Sequence, residues 1–144
     1  PALRLSATHA EIYGKTLVFE GRYRNLGYWQ SANDRALWTV SVSAAGKYDV
    51  YLDWAVHAST ADNPYRLQIG DATINGRVAS TGTWDDYRQA KIGTVQLKQG
   101  QQRVALQGVG KPSNCLIDLR EICLVPVGQP APAPFDTDDA TPKR

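Results

Sequence analysis

The chain has 144 residues, a net charge of +2 and 42% hydrophobic residues, enough for one domain with its own core. The small charge and the scattered lysines and arginines argue against a nucleic-acid-binding protein, and no apolar run is long enough to predict a membrane span. Methionine is absent and Pro1 is not followed by a charged and then apolar leader, so we expect a piece of a longer protein.

The first third of the chain predicts short strands near residues 3–7, 10–14 and 17–20, followed by two long ones. Apolar residues occupy every second position over residues 36–42 and 48–54, which is typical of half-buried strands. We therefore predict Trp38 and Trp54 to be core residues.

The remaining strands are predicted at residues 65–69, 74–78, 92–97, 104–106 and 116–125, and Asn75-Gly76 predicts a hairpin turn. With no helical repeat of apolar residues, this pattern predicts an all-β sandwich over residues 1–126. Residues 127–144 begin with a proline-rich run and predict a linker and disordered tail, leading to a neighbouring domain.

The two cysteines are Cys115 and Cys123. On one extended strand they would lie about 26 Å apart at ~3.3 Å per residue. A disulfide needs Cα atoms within about 7 Å, so only a loop that folds back at Cys115 would allow one. We expect two unpaired, mostly buried thiols.

Two stretches predict loops that carry aromatic side chains. Residues 80–87 place Trp84 and Tyr87 beside two carboxylates, and residues 25–29 end in a tyrosine and a tryptophan. A flat ring beside hydrogen-bonding groups suits a sugar, whose apolar face stacks on the ring. The alternative interpretation is that Trp84 is a buried plug at one end of the β fold.

The order of these motifs resembles the carbohydrate-binding modules of families 6 and 35, which are galactose-binding-domain-like jelly rolls. The resemblance covers about residues 5–124 and includes the two long strands, the loop with Trp84 and the closing strand. Its motifs are Trp38-Thr39-Val40-Ser41-Val42, Ala45-Gly46-Lys47-Tyr48-Asp49-Val50-Tyr51-Leu52, Thr81-Gly82-Thr83-Trp84-Asp85-Asp86-Tyr87, Val95-Gln96-Leu97 and Ile117-Asp118.

The resemblance implies a sugar site on loops at one edge of the sandwich. Its two aromatic positions fall on Trp29 and Trp84, while its asparagine position is occupied by Leu116. Asn114, two residues before Leu116, is a candidate to replace that asparagine if the loop has a different shape, and Asp34 and Asp85 are further candidates. Tyr87 either lines the cleft or braces the loop.

The resemblance also implies a structural calcium ion. Two of the family's acidic positions are replaced in Ser6-Ala7-Thr8, which leaves Glu20 and Asp118, with Glu11 as a shifted third candidate. Calcium takes six to eight oxygen ligands, so this reduced set makes a calcium ion a possible but not a required cofactor.

The function implied is a non-catalytic module that tethers a larger secreted or periplasmic protein to a polysaccharide or oligosaccharide. The alternative is a scaffold domain of the same fold that binds no sugar, in which Trp29 and Trp84 would both be covered. Catalysis is not expected, because a glycosidase needs two carboxylates about 5–10 Å apart in a cleft, whereas Asp85 and Asp86 are adjacent.

Overall fold

The structure is a computed structural model and describes residues 2–135. Eleven strands and two short 3-10 helices, Ala7–His9 and Ala58–Thr60, make up the regular structure of these residues. In chain order the strands are β1 Leu3–Ser6, β2 Glu11–Tyr13, β3 Val18–Glu20, β4 Asn25–Gly27, β5 Arg35–Val42, β6 Gly46–Ala55, β7 Pro64–Ile69, β8 Ala72–Arg77, β9 Arg88–Leu97, β10 Gly100–Gly108 and β11 Asp118–Pro126.

The strands form two antiparallel sheets. Sheet A has the order β3-β4-β11-β6-β9, with β1 also paired to β11, and sheet B has the order β2-β5-β10-β7-β8. The predicted all-β sandwich is therefore confirmed. None of the helices within residues 2–135 has the length and apolar character needed to cross a bilayer.

The core lies between the sheets and includes the apolar positions of the two predicted strands that alternate, residues 36–42 and 48–54. Trp38 on β5 is 3% exposed and Trp54 on β6 is 4% exposed, which confirms both as core residues. Each buried indole also has a backbone acceptor for its N–H, Ser6 O at 2.8 Å for Trp38 and Ala79 O at 2.9 Å for Trp54. A buried tryptophan without such an acceptor would lose a hydrogen bond that water provides in the unfolded chain.

The predicted hairpin turn at Asn75-Gly76 is wrong, because both residues lie inside β8. The turn occurs earlier, at Gly70, whose φ of 57° is the left-handed conformation that glycine adopts readily. Gly76 stands opposite Tyr65 on β7, and a Cβ atom at Gly76 would lie 2.7 Å from the Tyr65 hydroxyl. Glycine is therefore present at this position to make room for a ring and not to form a turn.

No disulfide joins Cys115 and Cys123 in the described part of the chain, as predicted. Cys123 is 1% exposed on β11, and burial, followed by the negative charge of Glu121, raises the pKa of its thiol to about 12. Cys115 is half-buried in the loop before β11.

The C-terminal segment, defined here as residues 127–135, packs against sheet A. Val127 N donates to Lys47 O at 3.0 Å, and Arg4 donates to Ala133 O at 2.7 Å. These contacts place residues 127–135 on the surface of the sandwich, whereas the composition predicts that a linker and disordered tail begin at residue 127. The rest of the predicted tail, residues 136–144, lies outside the described residues.

Candidate functional site

Four separate parts of the chain line one small cleft of about 180 Å³. They are the end of β3, the residue after β4, the loop between β8 and β9, and the loop before β11 together with the first residue of that strand. The residues that line the cleft are Glu20, Tyr28, Trp84, Asn114, Cys115 and Asp118. The cleft therefore combines two aromatic rings with two carboxyl groups and an amide, a composition suited to a polar ligand that also has an apolar face.

The first aromatic wall of the cleft is Tyr28 and not its neighbour Trp29. Tyr28 is 56% exposed and has a φ of 55°, whereas Trp29 is completely buried. The Trp29 indole N–H donates to Asp34 O at 3.1 Å, so the ring is fixed in the core. The prediction that Trp29 stacks on a sugar is therefore wrong, because no part of its ring reaches the surface.

Asp34 is a structural acceptor inside the loop that follows Trp29. It is 1% exposed, and its carboxylate accepts backbone N–H groups at 2.7–3.2 Å and the Thr16 hydroxyl. The backbone donors are Lys15, Thr16, Gln30 and Ser31. Burial acts to raise the pKa of Asp34, but these hydrogen bonds outweigh it and lower the pKa to about 2. Asp34 is thus not available as a sugar contact, which corrects that prediction.

The second aromatic wall is Trp84, which is half-buried on the loop that the sequence singled out. The Thr83 hydroxyl accepts from Asp85 N at 3.1 Å and donates to Asp86 Oδ2 at 2.9 Å, which closes the turn around Trp84. Thr81 connects the same loop to the residue that follows β6, because its hydroxyl accepts from Val56 N at 3.0 Å. Asp85 is not among the residues that line the cleft within the described part of the chain.

Tyr87 braces the loop and does not line the cleft as the structure describes it. Its hydroxyl donates to Asn25 Oδ1 at 3.0 Å, and the Arg120 guanidinium carbon lies 3.5 Å from the centre of its ring. Of the two roles that the sequence left open for Tyr87, these contacts correspond to bracing.

Asn114 lies at the cleft and at a larger open compartment beside it. This second compartment has a volume of about 620 Å³ and is also lined by Gln30, Ser31 and Lys111. Asn114 has a φ of 64°, so two residues that line the cleft, Asn114 and Tyr28, have a left-handed backbone conformation. Such conformations cost about 1–3 kcal/mol each and occur often at functional sites.

The carboxylates predicted to bind calcium divide between two parts of the molecule. Glu20 and Asp118 both line the cleft, and a Cβ atom at Gly27 would lie 2.1 Å from Glu20 Oε1, so glycine there leaves room for the carboxylate. Glu11 lies on β2 in the other sheet, where its carboxylate meets the Arg103 guanidinium at 2.5 Å. Because Glu11 is held in that ion pair, the prediction that it binds calcium together with Glu20 and Asp118 is wrong.

The remaining donors do not fit a calcium site built from protein carboxylates. No group of three or more His, Cys, Asp or Glu side chains is suitably placed for a metal ion within residues 2–135. Two carboxyl groups fall short of the several that a calcium site of six to eight oxygens normally uses.

A family model described as a domain of unknown function, DUF5077, matches residues 21–126. The chain belongs to the DUF5077 family. The match spans β4 to β11 and therefore includes every segment that lines the cleft except Glu20, which immediately precedes it. A search of curated proteins finds no match to this DUF5077 chain.

Solved structures similar to this DUF5077 domain include carbohydrate-binding modules of families 35 and 6. A family 35 module from Clostridium thermocellum is 18% identical with a TM-score of 0.72, covering 88% of this chain and 99% of that chain. The C-terminal family 6 module of the Zobellia galactanivorans laminarinase LamC is 15% identical with a TM-score of 0.69, covering 87% and 99%.

A larger structure contains the same fold as one of its parts. The Podospora anserina GH26-CBM35 β-(1,4)-mannanase is 18% identical with a TM-score of 0.66, and the match covers 91% of this chain and 29% of that chain. At these identities the likeness establishes the fold of the DUF5077 domain. It confirms the resemblance to family 6 and family 35 modules that the sequence motifs predicted.

Proposed function

We propose that this DUF5077 domain is a non-catalytic carbohydrate-binding module that holds a glycan in the cleft between Tyr28 and Trp84. The observation that carries this proposal is that an exposed tyrosine ring and a half-buried indole line the same cleft as Glu20, Asn114 and Asp118. Two rings can stack on the apolar faces of a sugar while the polar groups bind its hydroxyls. The fold shared with carbohydrate-binding modules supports the proposal.

A binding role accounts for these carboxyl groups better than a catalytic one. Glu20 Oε1 accepts from Asn25 Nδ2 at 3.0 Å, and Asp118 is only 2% exposed. A glycosidase requires one carboxyl group that protonates the leaving oxygen and another that acts as base or nucleophile on the opposite side of the bond. We therefore propose that the domain binds glycans without cleaving them, and hydrolysis of a polysaccharide by the purified chain would contradict this.

Within a larger extracytoplasmic protein, such a module would tether its neighbouring domain to a polysaccharide. The alternative scaffold function requires both candidate indoles to be covered. Only Trp29 meets that condition, since Trp84 keeps part of its surface exposed.

Affinity gel electrophoresis of the full chain tests the proposal. The gels would contain laminarin, β-1,4-mannan or xylan, two of which are substrates named for enzymes that contain a similar fold. We expect wild-type protein to be retarded by at least one polysaccharide, and Trp84→Ala and Tyr28→Ala each to weaken binding about 10- to 100-fold, as stacking contributes about 1–3 kcal/mol per ring by analogy with bases.

The matched control is Tyr13→Ala. Tyr13 is an exposed tyrosine, 42% accessible, but it lies on β2 at the edge of the other sheet. Its replacement removes a similar ring without touching the cleft, so retardation should remain at the wild-type level. Equal loss of retardation in Tyr13→Ala and Trp84→Ala, or unchanged retardation in Trp84→Ala, would contradict the proposed site.

A further inference from the structure

Arg120 occupies an irregular position in β11. Leu119 pairs with Trp54 and Glu121 pairs with Asp53, so Arg120 is one extra residue inserted between two consecutive pairs of the ladder. A β-bulge of this kind changes the direction in which a side chain leaves the strand. Because of the bulge, Arg120 and Glu121 can both follow a buried Leu119 without placing a charge in the core between the sheets.

The Arg120 side chain connects three segments that are distant in sequence. Its guanidinium carbon lies 3.5 Å from the ring centre of Tyr87 and 5.5 Å from that of Phe135, and its Nε donates to Tyr23 O at 3.0 Å. Arg120 is only 5% exposed. A guanidinium over aromatic rings is held more strongly when water is excluded, so both ring contacts should constrain its position.

The C-terminal segment brings Phe135 to this arginine along the outside of sheet A. Arg4 on β1 and Gln89 on β9 donate to Ala133 O at 2.7 Å and 3.5 Å. Phe135 N donates to Asp53 Oδ2 on β6 at 3.3 Å. The segment therefore has hydrogen bonds to three strands before it places the Phe135 ring near Arg120.

Arg120 also contacts Tyr87, which belongs to the loop that carries the cleft residue Trp84. Tyr87 is three residues from Trp84 on the same loop, and its hydroxyl donates to Asn25 Oδ1 at 3.0 Å. The amide of Asn25 in turn donates to the cleft residue Glu20 at 3.0 Å. Both Trp84 and Glu20 are thus linked to Arg120 through Tyr87.

We propose that Arg120 is a positioning residue for the cleft. The C-terminal segment holds its guanidinium against Tyr87, and Tyr87 in turn keeps the loop of Trp84 in its binding arrangement. The effect on glycan affinity rests on the proposed function, but the effect on the Trp84 loop does not.

Fluorescence quenching by acrylamide measures how exposed the Trp84 ring is, and so reports on the arrangement of its loop. Of the four tryptophans, Trp29, Trp38 and Trp54 are at most 4% exposed, so a collisional quencher in solution reaches mainly Trp84. In the full chain, we expect Phe135→Ala to raise the quenching constant about twofold and to weaken binding to laminarin or mannan at least about threefold, because one ring contact of the guanidinium is lost.

Two variants separate positioning from a general loss of structure. Phe135→Tyr keeps a ring near Arg120 and should restore wild-type quenching and retardation. Val127→Ala alters the same segment at an exposed residue away from Arg120 and should leave both unchanged. Arg120→Lys keeps the charge but loses the planar group, and should behave like Phe135→Ala if it folds.

Wild-type quenching and wild-type retardation in Phe135→Ala would overturn the proposal, as would equal effects of Val127→Ala and Phe135→Ala. If none of the polysaccharides retards the wild-type chain, the proposed function fails. A raised quenching constant in Phe135→Ala, with rescue in Phe135→Tyr, would still support the positioning role in that case.

Discussion

The two loops that carry the walls of the cleft have similar sequences but opposite arrangements. In the first, Gly27 is followed by Tyr28 and Trp29, and the tyrosine is exposed while the indole is buried. In the second, Gly82 precedes Trp84 and Tyr87, and it is the indole that lines the cleft while the tyrosine braces the loop.

This difference has a local physical cause. The left-handed φ of 55° at Tyr28 turns the chain so that the next residue, Trp29, enters the core, where Asp34 O accepts its N–H. In the second loop the hydroxyls of Thr81 and Thr83 accept hydrogen bonds from backbone N–H groups and so fix the loop. Trp84 is only partly covered there. In these two loops the local backbone and its hydrogen bonds therefore decide which ring of the pair lines the cleft.

The largest effect on stability is expected for Trp29→Ala. Removal of a completely buried indole leaves a cavity and an unpaired Asp34 carbonyl, and should lower the free energy of unfolding by about 3–5 kcal/mol. Urea unfolding followed by circular dichroism measures this loss. A cost as small as that of Trp84→Ala would contradict the assignment of Trp29 to the core.

The next largest effect should come from Asp53, a buried carboxyl group with few donors. Burial, with a smaller contribution from the charge of Glu121, raises the pKa of Asp53 to about 6 despite the hydrogen bond from Phe135 N. The folded state therefore holds the proton more tightly than the unfolded state does, and this stabilisation is lost as the pH rises from 4 to above 6.

Asp53→Asn abolishes this titration. Between pH 4 and pH 8 the variant should gain about 2–3 kcal/mol of stability relative to wild type, measured by urea unfolding at each pH. Parallel pH profiles for the two proteins would contradict the raised pKa.

Asp34 should show the opposite dependence on pH, because its many donors favour the charged form. Its pKa of about 2 in the folded state lies below the ordinary value of 3.8. The resulting stabilisation, about 2 kcal/mol, is complete above pH 4 and is lost as the pH falls towards 2. Asp34→Asn should thus be destabilised at pH 7 and approach wild type near pH 2, and a difference that stays constant over this range would contradict the account.

The smallest effect on stability is expected for Trp84→Ala. Since its ring is only half-buried, its removal should cost about 1 kcal/mol, within the range of ordinary substitutions. Together with the loss of glycan binding proposed above, this would separate the binding ring from the core ring. A loss comparable to that of Trp29→Ala would show that Trp84 is a plug, as the alternative interpretation of the sequence holds.

The fold could be predicted from the sequence because apolar and polar residues alternate clearly along two long strands. The apolar positions of residues 36–42 correspond to the buried face of β5. Those of residues 48–54 are buried on β6, where Asp49 and Asp53 between them are buried as well. The error at Asn75-Gly76 arose because a turn dipeptide was interpreted locally, whereas the Tyr65 ring on the neighbouring strand requires glycine there.

Only part of the site could be predicted from the sequence. The sequence indicated Trp84 and Asn114 as sugar-binding candidates and Glu20 and Asp118 as metal candidates, and all four line one cleft. It could not distinguish Tyr28 from Trp29, since that choice depends on a single φ angle.

The contacts of Arg120 could not be predicted from the sequence either. They depend on a bulge in β11 and on Phe135, which lies in a segment whose composition predicts a linker. Contacts between residues so far apart in the chain leave no local pattern.

The most direct test of the central claim is a titration followed by the indole N–H signals of the four tryptophans in NMR spectra. With laminarin or mannan oligosaccharides, we expect the Trp84 signal to shift with the concentration of sugar, while those of Trp29, Trp38 and Trp54 remain in place. A shift confined to a buried indole, or a Trp84 signal that stays unchanged while the protein binds the oligosaccharide, would contradict a binding site between Tyr28 and Trp84.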